Sequence, residues 1–114
     1  MAVIPYTVTR DQNGLFHTVV WTGVTEADTC AAYLFQQLPQ DISVEFDGTW
    51  GGATATLVGS NGGGGKACTA IGGTTADWTA DALVSVLERP KSFTPTFAGG
   101  SSQSMSVYMV VWLK

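Results

Sequence analysis

"ISVEFDGTWGGATATLVGS", residues 42–60, decides how this chain folds. Its first seven residues alternate, with Ile42, Val44 and Phe46 on one side and Ser43, Glu45 and Asp47 on the other. A period of two is that of a β-strand with one face in a core and one in water. After "TWGG" (49–52) the alternation resumes, with Ala53, Ala55 and Leu57 opposing Thr54, Thr56 and Val58. Read together, the two runs form a hairpin across the glycine-containing turn.

The same pattern extends outward. "YTVTR" (6–10) and "LFHTVVWTGV" (15–24) flank "DQNG" and read as an opening hairpin. "KACTAI" (66–71) returns after a glycine run, and "GGTTADWT" (72–79) is turn material leading to a short strand or loop. In "ADALVSVLERP" (80–90), Ala82, Leu83, Val86 and Leu87 fit a helical face, while Leu83, Ser85 and Leu87 against Val84, Val86 and Glu88 fit a strand. We read a short turn and then a strand, ended by Pro90. "KSFTPTF" (91–97) carries Pro95, which confines it to an edge or a kink. "TEADTCAAYLFQQLPQ" (25–40) fits a long crossing loop or a short helix. Residues 107–113 are apolar on both faces, so that strand is central in a sandwich or covered by a partner subunit. The whole reads as one all-β domain over 1–114, an antiparallel β-sandwich with residues 1–10 as an extended N-terminal segment.

Composition narrows the function. Hydrophobic residues are 45% of the 114, enough for a core, but charged residues are only 12%, about half the usual share of roughly 25%. A surface of Thr, Ser, Gly and Gln with some apolar groups suits a protein that is normally covered, as a homo-oligomer or on a larger assembly. Net charge is −4, and the five basic residues are scattered except for "ERPK" (88–91), a poor footprint for nucleic acid. No stretch reaches the ~18 apolar residues of a membrane helix and no signal peptide is evident, so the expectation is synthesis in the cytoplasm and no membrane partner. Cys30 and Cys68 then read as two buried free thiols.

"GSNGGGGKA" (59–67) looks at first like a phosphate loop. A P-loop needs G-x-x-x-x-G-K-[ST]; aligned on Lys66, its first glycine is Ser60 and its hydroxyl residue is Ala67. The stretch reads instead as a mobile hairpin tip, with Gly62, Gly63, Gly64 and Gly65 as candidate protein contacts.

Catalytic chemistry finds little footing. His17 is the only histidine and lies in an alternating strand with no nucleophile or orienting acid at a recognisable spacing, so we read it as structural. Zinc would need three or four ligands from three scattered His and Cys residues, and "DGTWGG" offers only Asp47 to Ca²⁺. Glu45 and Asp47 share a polar strand face, as solvated strands commonly do. The expectation is no enzyme, no metal and no cofactor. Trp50, Trp78 and Trp112 look exposed; core comes first for Trp21 and Trp112, and Trp50, inside a turn, is the best candidate contact, with a subunit or a sugar. Tyr108 and Trp112 join it as contacts if a partner covers the last strand.

The block "ISVEFDGTWGGATATLVGSNGG", then "LERPKSFTPTFAGG" and a β-rich final strand, resembles a family of small structural proteins of tailed bacteriophages over roughly residues 42–113. The family pattern has the form VxVxGTFGGAxVxLxGSNDG, an ENPRxxRP-like segment and a Thr/Val-rich last strand. This sequence departs at "GGGGKAC" after "GSN" and at "SFTP" in the second segment. The resemblance implies an auxiliary capsid protein, also called a cement or decoration protein, jelly-roll-like and non-enzymatic, on the capsid surface of the virion with the major capsid protein as partner. The residues alone also admit a carbohydrate-binding module of the tail or head surface, built on Trp50.

Overall fold

The computed structural model describes residues 2–26, 28–71 and 76–113. The strands are β1 (Val3–Ile4), β2 (Thr7–Arg10), β3 (Phe16–Thr25), β4 (Thr29–Cys30), β5 (Tyr33–Leu34), β6 (Asp41–Thr49), β7 (Ala53–Ser60), β8 (Lys66–Ala67), β9 (Asp77–Trp78), β10 (Ala82–Ser85), β11 (Ser92–Gly99) and β12 (Ser104–Trp112). No helix occurs among the described residues. One sheet runs β10-β6-β12-β3-β2 and the other β5-β11-β7-β8, with β9 also on β7. With β1, β2, β4 and β9 set aside, eight strands remain, β3, β5, β6, β7, β8, β10, β11 and β12; counted in that order, the first lies beside the last, the last beside the third and the third beside the sixth, while the second, seventh, fourth and fifth follow one another in the facing sheet. That is the strand order of a jelly roll.

The alternation read from the sequence is the alternation of burial. Ile42, Val44 and Phe46 of β6 are fully buried, as are Val19 and Trp21 of β3, and Met105, Val107, Met109 and Val111 of β12. They meet Ala55, Leu57 and Phe93 of the facing sheet in a single core. The Trp21 indole is enclosed, so its Nε1–H needs a partner, and it donates to the Ala31 carbonyl at 2.9 Å.

One expected strand pairing is corrected. β6 and β7 are not a hairpin: β6 pairs with β10 and β12, whereas β7 pairs with β11, β8 and β9. Gly51 and Gly52 both take positive φ, 57° and 87°, and Ala53 N–H closes the turn onto the Trp50 carbonyl at 2.9 Å. With β10 and β12 on the two edges of β6, and β11 opposite β8 and β9 on those of β7, this turn carries the chain over the core edge, and the apolar faces of β6 and β7 look at each other across the core instead of lying side by side.

The remaining elements follow local sequence. β2 and β3 pair antiparallel across the 11–14 turn, as expected. The 82–85 stretch is a strand, with Val84 directly opposite Val44. In the 25–40 crossing, Tyr33 faces in and Leu34 out, the period of β5 rather than of a helix. β12 is central in its sheet, between β6 and β3. β11 lies between β5 and β7, not at the edge expected for it, but the pairing with β5 ends at Phe93, so among the described residues β7 is the only strand paired at Pro95. Residues 2–4 are extended but not a free arm: β1 runs parallel to β4, Thr29 N–H donates to the Ala2 carbonyl and Ala31 N–H to that of Ile4. The turn expected at 72–75 lies outside the described residues.

Candidate functional site

The candidate contact residues separate to opposite ends of the sandwich. Trp50 lies at the end formed by the β6–β7 arch. Its indole Nε1–H donates to Asp81 Oδ1 at 2.7 Å, and its ring packs edge-on against Phe46 and Phe97, with centroids 6.0 and 6.3 Å away. The half-buried ring is an anchor for the arch. Trp78 is buried against Phe46 at 5.3 Å.

Trp112 and the glycine run belong to the other end. Contrary to the core role first assigned to it, Trp112 is 38% exposed, because its position in β12 points to the outer face of the sheet. It packs on Phe16 at a centroid distance of 5.1 Å. On the same outer face Tyr108 is half-buried between Val20 of β3 and Glu45 of β6. Backbone bonds draw the neighbouring loops together here: Gln40 N–H donates to the Trp112 carbonyl, and Leu113 N–H to that of Leu15. Arg89 donates from both Nε and Nη2 to the Gln40 carbonyl, at 3.1 and 2.6 Å.

Gly62, Gly63, Gly64 and Gly65 form the tip between β7 and β8, which pair through Val58 with Ala67 and Gly59 with Lys66. The tip has internal bonds. Ser60 Oγ accepts from Gly62 N–H and donates to the Gly63 carbonyl, while Asn61 Oδ1 accepts from Lys91 N–H. Gly59, just before it, runs close against other groups. A Cβ there would stand 2.6 Å from Pro90 Cγ and 2.9 Å from Cys68 Sγ.

That close approach sets the floor of a cleft of about 380 Å³ between the tip and residues 88–90. A second cleft, of about 260 Å³, adjoins it and is walled by Phe35 and Leu38. Lys66 and Arg89 border the first, Arg89 and Lys91 the second. Glu88 is the acid among the lining residues, and both of its oxygens are engaged by Thr69, through N–H at 2.7 Å and hydroxyl at 2.9 Å. Burial pushes the Glu88 carboxyl upward, but the Thr69 bonds outweigh it and hold it below the usual range. In sequence "ERPK" is only the one basic cluster; folding puts Arg89 at both clefts, with Lys66, far away in sequence, on one and Lys91 on the other, and adds Leu38, 81% exposed.

The other reactive groups are held inert. Cys30 and Cys68 are free, buried thiols, each pushed up to about 11, first by burial and next by the charges of Asp28 and Glu88 respectively. His17 is buried in β3, and desolvation and then the Arg10 charge hold it below its usual value. Among the described residues, no three His, Cys, Asp or Glu side chains are grouped to hold a metal ion. In comparison with known proteins, the chain matches no protein-family model and no curated protein.

Proposed function

We propose that this protein is a non-enzymatic decoration or cement subunit that binds the assembled capsid shell of a tailed bacteriophage. One observation carries the reading: exposed apolar side chains gather with cationic ones at one end of the sandwich. Leu15, Leu38, Leu87 and Trp112 are exposed there, beside Arg89 and Lys91. Apolar surface of this kind is what a docking partner covers. The low charge and the sequence resemblance point the same way.

The mechanism is mass action. A subunit that binds only the assembled shell stabilises that shell by its binding free energy, repeated over symmetric sites. Loops already tied by their own hydrogen bonds serve this role, because a preformed end pays less ordering entropy on docking. The glycan reading draws less support, since the Trp50 ring is packed on two aromatic neighbours and its N–H is already bonded.

The test is the copy number of the protein in purified particles, by quantitative mass spectrometry against the major capsid subunit. A ratio close to that of the shell subunit is expected. A handful of copies per particle would move the protein to the neck or tail, and absence would end the proposal.

A further inference from the structure

We infer that the two adjoining clefts form one groove that takes an extended acidic peptide segment of a partner protein. The inference deepens the shell-docking reading and rests on it only for the identity of the partner. The clefts share Asn61, Arg89 and Pro90, so a chain lying across these residues occupies both.

Charge selects the occupant. Lys66, Arg89 and Lys91 are three of the chain's five basic residues, and they stand along this one groove in a protein of net charge −4. The lining carboxylate, Glu88, has both oxygens bonded to Thr69, so it is turned to the protein's own backbone and hydroxyl. The groove therefore offers cations without a competing free acid, to a ligand that the rest of the surface repels. Arg89 is held on the Gln40 carbonyl through one edge of its guanidinium, which fixes the charge in place before a ligand arrives.

The walls select a peptide over a polyanion. Phe35 and Leu38 present apolar surface beside Lys91, and Leu38 is 81% exposed. Nucleic acid carries a charge every ~1.7 Å and is held by many phosphate contacts, which three cations do not supply. A segment alternating acidic and apolar residues satisfies both the rim and the walls. At the other wall, Gly63 and Gly64 have open space where side chains would stand, so a ligand can approach the backbone.

The test uses the purified full chain and a fluorescein-labelled decapeptide of alternating Glu and Leu, with its Lys-for-Glu counterpart and a dT10 oligonucleotide, all by fluorescence anisotropy. Saturable binding of the acidic peptide that weakens with salt is expected, with no binding of the Lys peptide. Lys91→Glu should weaken it on the order of tenfold, and Leu38→Ala several-fold. Arg10→Glu, a matched charge change outside both clefts, should leave it unchanged. Failure of the acidic peptide to bind, equal binding of the Lys peptide or equal loss with Arg10→Glu would each overturn the inference, and tighter binding of dT10 would assign the groove to polyanions instead. Particle occupancy separates this from the shell reading: a bound peptide with no protein in particles sinks the shell partner and leaves the groove.

Discussion

At the scale of single residues, glycines that look alike in sequence do unlike work. Gly59→Ala would push a Cβ into Pro90 and Cys68, and overpacking of this kind should cost about 1–3 kcal/mol, read as a lower urea midpoint with an unchanged slope. Gly63→Ala has open space and no positive φ, and should change stability by less than about 1 kcal/mol. The tryptophans divide similarly. Trp50→Ala removes a bonded, half-buried anchor and should cost about 2–4 kcal/mol, while Trp112→Ala, at an exposed site, should cost about 1 kcal/mol and act on shell docking instead. The thiols offer a third check. With Cys30 and Cys68 pushed up to about 11, native protein at pH 8 should react with a thiol reagent slowly, and at full rate once unfolded in urea.

At the scale of elements, the tie between Thr69 and Glu88 joins the segment after β8 to the segment after β10, next to the backbone bond from Leu87 N–H to the Thr69 carbonyl. Because the folded Glu88 carboxyl titrates below its unfolded value, its stabilising effect is full above the unfolded value and disappears as pH falls through the folded one. Acid should therefore lower the protection of the Leu87 amide, read as its exchange rate relative to that of an unfolded peptide at the same pH, and Glu88→Gln should flatten that dependence; equal protection of wild type at pH 6 and pH 3 would refute the link. Strand existence was legible in the sequence wherever one face is apolar, as in β6 and β7, because burial imposes a period of two. Which sheet each strand joins was not legible. β6 and β7 show the same alternation whether paired or facing, and the two positive-φ glycines, Gly51 and Gly52, suit a hairpin turn as well as an arch; only the pairing of each strand with other partners separates the two. The site was hidden for a related reason: Lys66, Leu38 and Arg89 meet through loop packing, which leaves no periodic trace.

At the scale of the molecule, the jelly roll separates its two ends, and docking through one leaves the other outward. The arch end, with Trp50 and the exposed Ser101–Ser102 turn, is tied to its own core, whereas the glycine-tip end carries the groove, Trp112 and the cations. Loop tips on a rigid β-scaffold tolerate insertion when their backbone is exposed, and both Ser101–Ser102 and Gly63–Gly64 meet that condition. A short epitope inserted between Ser101 and Ser102 should fold, reach wild-type occupancy on particles and be bound there by its antibody. The same epitope between Gly63 and Gly64 should fold equally well by circular dichroism yet lower occupancy severely if, as proposed, this end docks on the shell. Full occupancy of the second insert with its epitope accessible would place the contact elsewhere on the molecule. The outer face of the β10-β6-β12-β3-β2 sheet, with Tyr108 at its middle, would then be the surface to substitute first.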